Sequence, residues 1–192
     1  MKALLSLGLL LLGGGAVPAL SREVVSGKSC IPIANVISPA EFGRHPVDVV
    51  ARGPWRKPNV RRGMGHLYRT VLSREGSAPP NFAGHYKVVT HGCGAGMTCP
   101  LFIDLKTGKV TFAAAIASVE HLYDLPDVAG IDDVRLVYRA DSRLLVAVGT
   151  RNEDLRLTGA TLFEWREGGL QVIRFIPKDA LCLDTAGGGH AS

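Results

Sequence analysis

Beyond its first 12 residues the chain has no apolar run near the roughly 20 residues that a membrane-crossing helix needs. That excludes a helical span in the remainder. Neither Cys-x-x-Cys nor His-x-x-x-His occurs, so the usual spacings of a zinc site are missing and neither a metal nor a cofactor is expected. The residues two before and two after Cys93 are His91 and Ala95 rather than glycines, which removes the pattern of a nucleophile elbow. Asp124-Leu125-Pro126-Asp127 lacks the regular ligand spacing of a calcium loop. Crowding alone does not set a catalytic separation between carboxyls drawn from Asp124, Asp127, Asp132 and Asp133.

What is present begins with a leader. Lys2, the apolar run Ala3 to Leu12, the small residues Gly13-Gly14-Gly15-Ala16 and then Val17-Pro18-Ala19 form the three parts of a secretory signal peptide, with cleavage expected after Ala19. No cysteine follows closely, the first being Cys30, which argues against a lipidated amino terminus. The expected organisation is a signal peptide over 1–19, a single exported domain over 20–184, periplasmic or secreted, and a glycine-rich disordered tail over 185–192.

The leader holds one of the 22 basic residues and none of the 17 acids, leaving residues 20–192 at a net charge of +4. The charge is uneven. From Arg44 to Arg74 there are eight basic residues against the single acid Asp48, and the rest is net acidic. Arg56, Lys57, Arg61 and Arg62, with Trp55 and Tyr68 nearby, suit an acidic surface of an envelope or extracellular macromolecule. Export makes nucleic acid a poor partner. The competing reading is a solvated loop whose arginines pair with acids of the same domain.

In an oxidising compartment the four cysteines are expected to pair. Of three possible arrangements, the favoured one closes a small Cys93–Cys99 ring around Gly94-Ala95-Gly96-Met97-Thr98 and joins Cys30 to Cys182 near the two ends. A closure of about 150 residues stabilises by up to about 5 kcal/mol in the chain-entropy model.

Ser38-Pro39-Ala40-Glu41 is a capping box with proline at the first helical position, and it predicts a short helix ended by Gly43. His66 to Arg74 fits a strand or a short helix. From Tyr86 onward the pattern turns to strands. Hairpins are predicted from Leu101–Asp104 to Lys109–Phe112, from Val134–Arg139 to Arg143–Val148, and from Ala160–Trp165 to Leu170–Ile176. The continuous run Leu144-Leu145-Val146-Ala147-Val148 reads as a central strand covered on both faces. Phe112, Ile116, Val119 and Tyr123 recur at helical spacing and set a helix against extended chain. The expected fold is mainly β, with α+β as the alternative: an antiparallel meander of about six to eight strands with one or two short helices.

The densest stretch is Asn81-Phe82-Ala83-Gly84-His85-Tyr86 followed by Gly92-Cys93-Gly94 and Cys99. Further on stand Asp104-Leu105-Lys106-Thr107-Gly108-Lys109-Val110 and Asp141-Ser142-Arg143-Leu144-Leu145. Together these four elements resemble a group of uncharacterised small secreted bacterial proteins, over about half of the mature chain. His91 departs from that pattern, where an aromatic residue precedes the Gly-Cys-Gly. The resemblance implies a β-rich exported domain and brings no activity with it.

His85 and His91 are six residues apart and would share a strand face, with His66 and His121 as further imidazoles. Two expectations about function follow. The leading one is a non-enzymatic binding module of inhibitor or immunity type, with His85, Tyr86, His91, Arg56, Lys57, Arg61 and Arg62 as binding residues. The alternative is a small periplasmic hydrolase with His85 or His91 as general base.

Overall fold

A computed structural model of the chain describes residues 20, 23–25, 28–122 and 136–182, with backbone alone for 23–25, 28–30 and 182. The expectations for the leader, for Asp124, Asp127, Asp132 and Asp133, and for the tail fall outside these residues. Two short strands, β1 (Glu23–Val25) and β2 (Lys28–Pro32), form a hairpin. Four short helices follow: α1 (Ile33–Val36), α2 (Pro39–Gly43), α3 (Gly63–Leu67) and α4 (Arg69–Glu75). The Glu41 amide donates to Ser38 Oγ at the start of α2, as the capping box predicts.

The main sheet contains β3 (Tyr86–Gly94), β4 (Met97–Asp104), β5 (Val110–Thr111), β6 (Val119–Glu120), β7 (Leu136–Tyr138), β8 (Leu144–Arg151), β9 (Thr158–Arg166) and β10 (Gly169–Pro177). Its order is β10-β9-β8-β6-β4-β3, with β5 and β7 paired at the sides, and every pairing is antiparallel. Consecutive strands joined by local turns become neighbours, so this is the expected meander. The last strand, β11 (Leu181–Cys182), lies parallel to β2, setting Cys182 opposite Pro32. Both ends of the domain thus meet in one small sheet, although the pairing of the Cys30 and Cys182 sulfurs lies outside the described side chains.

The sheet is curled. Phe102 on β4 and Trp165 on β9 are separated in strand order by β6 and β8, yet their rings lie 5.0 Å apart. Beside this pair sits the fully buried Phe82, edge-on to Trp165 at 5.6 Å and 6.0 Å from Phe102. Burial of a side chain of this size contributes about 2–3 kcal/mol. Strand alternation splits the apolar run of β8 as predicted: Leu145 and Ala147 join Phe82 and Phe102 inside the curl. Leu144, Val146 and Val148 pack outside it against Ile31, Val36 and Phe42. A third cluster, centred on Leu72, Val89, Leu101 and Ile103, lies under α4 and the loop preceding α3.

Of the two alternatives open from Phe112 onward, extended chain is found as far as the described residues run, to Leu122. Ala114–Ile116 makes one 3₁₀ turn and Val119–Glu120 forms β6, because partners distant in sequence compete for this backbone. Asn152 Oδ1 accepts from the Ala117 amide, Arg151 Nη1 donates to the Ala115 carbonyl, and Val119 pairs with Thr98 and Arg151.

Candidate functional site

The sequence motifs resolve into scaffold. Asn81 Nδ2 donates to the Val88 carbonyl and its Oδ1 accepts from the Val88 amide, so the side chain extends the ladder of β3. Phe82 fills the core, Ala83 and Gly84 turn the chain at positive φ, and Tyr86 stacks 4.5 Å from Trp165. Tyr86 therefore serves the core. In the next turn Asp104 takes the Lys106 amide on Oδ1 (2.8 Å) and Thr107 Oγ1 on Oδ2 (2.9 Å). Ser142 is buried; its Oγ lies within hydrogen-bond reach of the Phe42 and His45 carbonyls and accepts from the Leu144 amide.

Two motif glycines have a more specific task. Gly84 (φ +79°) and Gly108 (φ +78°) lie beneath the loop that carries the basic stretch. A Cβ on Gly84 would stand 2.8 Å from the Val49 carbonyl oxygen, and one on Gly108 only 2.4 Å from that of Lys57. Backbone contacts pin the loop there. The Ala51 amide donates to the Gly84 carbonyl, that of Arg56 to Leu105, and that of Asn59 to Gly108. Trp55 and Val60 pack into the third core cluster, as does Tyr68, so these residues anchor the loop.

The cations are left outside. Arg52, Arg56, Lys57, Arg61 and Arg62 are exposed. Docking the loop on the turn after β4 adds Lys106 and Lys109, also exposed. Among the described residues none of these seven forms an ion pair. Arg62 and Lys109 together line a hollow of about 330 Å³ between α3 and the turn. Val49 and Leu67, exposed at 73% and 66%, lie before and after the basic run.

The histidines do not converge. About 20 Å of extended strand separates positions 85 and 91. His85 Nε2 stands 3.8 Å from Asp104 Oδ1, and its ring contacts Tyr86 at 4.3 Å. Burial, with Lys106 adding to it, lowers the His85 pKa against the opposing pull of Asp104. Asp104 is already committed to its own turn, so it is a poor partner for a general base. His91 packs against Tyr68 at 4.5 Å, and neither of its buried ring nitrogens makes a hydrogen bond of normal geometry, the Cys99 backbone giving only a loose polar contact. Burial lowers its pKa too, although the Cys99 backbone across the ladder works in the other direction. Cys93 and Cys99 form the expected disulfide at the exposed tip of the β3–β4 hairpin. His66 lies in the last turn of α3, and among the described residues no group of three or more His, Cys, Asp or Glu could hold a metal ion.

One cluster was missed by the sequence reading. Glu164, only 5% exposed, accepts from Arg143 Nε on Oε1 (3.3 Å) and from Arg166 Nε on Oε2 (2.8 Å). His45 Nδ1 lies 3.5 Å from Oε1. Burial alone would raise the Glu164 pKa, but the Arg166 and His45 contacts outweigh it and hold the carboxyl below its ordinary range. Nearby, the equally buried Glu41 pairs with Arg44. The available signal was an acid inside the mostly apolar stretch Leu162 to Trp165, two residues before an arginine.

Comparison with known proteins adds no assignment to this geometry: the chain matches no family model, no curated protein and no solved structure.

Proposed function

We propose that the protein is an exported, non-enzymatic binding module that docks an acidic protein surface through the loop carrying Arg56, Lys57, Arg61 and Arg62. The observation that carries this reading is that these cations, with Lys106 and Lys109, are exposed and form no ion pair among the described residues, on a loop fixed by backbone hydrogen bonds. Fixing the loop lowers the entropy lost on docking, and a field of one sign speeds encounter with an acidic partner. Exposed Val49 and Leu67 flanking the basic run supply the apolar contact that a protein interface needs.

The test is the oxidised protein with Arg56, Lys57, Arg61 and Arg62 all changed to Ser. Its thermal midpoint should stay within about 2 °C of the parent, since these side chains are exposed. Retention on a carboxylate matrix and capture of acidic proteins from envelope extract should both drop. Unchanged capture refutes the reading. A hydrolytic turnover abolished by His85→Ala or His91→Ala would replace it with the enzymatic alternative.

A further inference from the structure

We infer that a second site, a pocket between α2, β9 and β10, binds a small organic anion: a carboxylate or phosphate group on an apolar body. The pocket measures about 460 Å³, within the range of small-molecule sites (about 300–1,000 Å³). Its floor includes Leu162 and Ile173, and its polar rim carries Arg44, Arg166 and Arg174.

The charges do not balance. Glu41 and Glu164 are its carboxylates, and both are already engaged, Glu41 by Arg44 and Glu164 by Arg143, Arg166 and His45. Four guanidinium groups thus face two acids before His45 is counted. Arg174 is the surplus: it is half-buried on the pocket wall, and among the described residues it has neither an ion pair nor a hydrogen bond. Partly desolvating a guanidinium without a partner is costly, and an oxyanion seated in the pocket would supply one.

The backbone is shaped for the same purpose. Neighbouring residues of a regular strand point to opposite faces, yet Ile173 and Arg174 both line this pocket. The cause is a β-bulge. Val172 pairs with Phe163 and Arg174 with Leu162, leaving Ile173 as an extra residue that bends β10. Bulges of this kind re-aim side chains and concentrate next to functional sites. Here the bulge joins one apolar and one cationic group on a single wall, the complement of an amphipathic anion.

Titration of the full-length oxidised protein by calorimetry and by NMR of the arginine side-chain N–H signals tests the assignment. The probes are benzoate, phenyl phosphate, inorganic phosphate and the neutral benzyl alcohol. Benzoate or phenyl phosphate should bind saturably below about 10 mM, and whichever is tighter identifies the head group. Inorganic phosphate should bind more weakly, and benzyl alcohol not at all. Arg174→Ser should weaken the organic anions by about tenfold or more without lowering the thermal midpoint, because that side chain holds no partner among the described residues. Changing Arg56, Lys57, Arg61 and Arg62 to Ser should leave this affinity intact, which separates the pocket from the basic loop. No saturable binding of either organic anion, an unchanged affinity in Arg174→Ser, or loss of affinity in the four-residue loop variant overturns the site. Binding of benzyl alcohol equal to that of benzoate, or of inorganic phosphate equal to phenyl phosphate, overturns the ligand class.

Discussion

Asn81 holds Val88 by two hydrogen bonds at once, Nδ2 to the carbonyl at 3.0 Å and the amide to Oδ1 at 2.7 Å. A side-chain amide thereby stands in for a neighbouring strand along β3 and fixes the approach of Phe82 to the core. Asn81→Ala leaves a half-buried backbone amide and carbonyl unpaired, and should cost about 2–3 kcal/mol in a denaturant titration. Asn81→Asp keeps the acceptor for the Val88 amide but sets an oxygen against the Val88 carbonyl, so it should rescue little of that loss. A cost below about 0.5 kcal/mol in both variants would show that the motif asparagine does not hold this turn.

Glu164 carries an acid-sensitive share of stability. Its carboxyl pKa is depressed in the folded state. Its contribution is therefore complete above the ordinary carboxylate value of about 4.3–4.5 and fades as the pH falls through the lower, folded-state value. Glu164→Gln should lose about 2 kcal/mol at pH 7, a figure kept modest because Arg143 and Arg166 are about half exposed. The gap between variant and parent should narrow as the pH is lowered below about 4.5. A gap that stays constant from pH 7 to pH 3 would contradict the depressed carboxyl.

His91 has the opposite chemistry and the same sign. Burial lowers its folded-state pKa, so the unfolded chain takes up a proton first as the pH falls through about 6.5, and stability declines from there downward. His85 is shifted the same way. His91→Phe preserves an aromatic contact to Tyr68 and removes two buried nitrogens that lack well-formed hydrogen bonds. It should raise stability by about 1 kcal/mol at pH 7 and flatten part of the decline between about pH 7 and pH 5, leaving the share of His85. Thermal melts across that range would show it, and an unchanged slope would count against the burial argument.

The parts of the fold legible in the sequence are those whose partners are local. The β9–β10 hairpin turns at Glu167 and Gly168, both at positive φ, and Leu144 to Val148 announces a strand packed on two faces because no polar residue interrupts it. The stretch from Phe112 to Leu122 stayed ambiguous between helix and extended chain because Asn152 and Arg151, more than 30 positions away, claim the backbone of Ala117 and Ala115. The basic loop was visible as composition, whereas Lys106 and Lys109 join it only through the docking of Asn59 and Arg56 on the turn after β4. The anion pocket draws on residues 41–45 and 162–174: the β9–β10 register sets the latter, and the Ser142 and Arg143 contacts with the Phe42 and His45 carbonyls bring the former beside them. No local pattern could have brought Glu41, His45 and Arg174 together.

The extra residue in β10 has a further effect at the rim of the sheet. β10 ends the strand order, and an outermost strand with a regular, flat ladder is a template for strands of other molecules. At Ile173 that ladder loses its two-residue rhythm, and Arg174 follows at once. A second chain attempting to pair along this border meets a break in hydrogen-bond spacing beside a positive charge. The distortion that forms the pocket wall thus also discourages growth of the sheet into fibrils at high concentration.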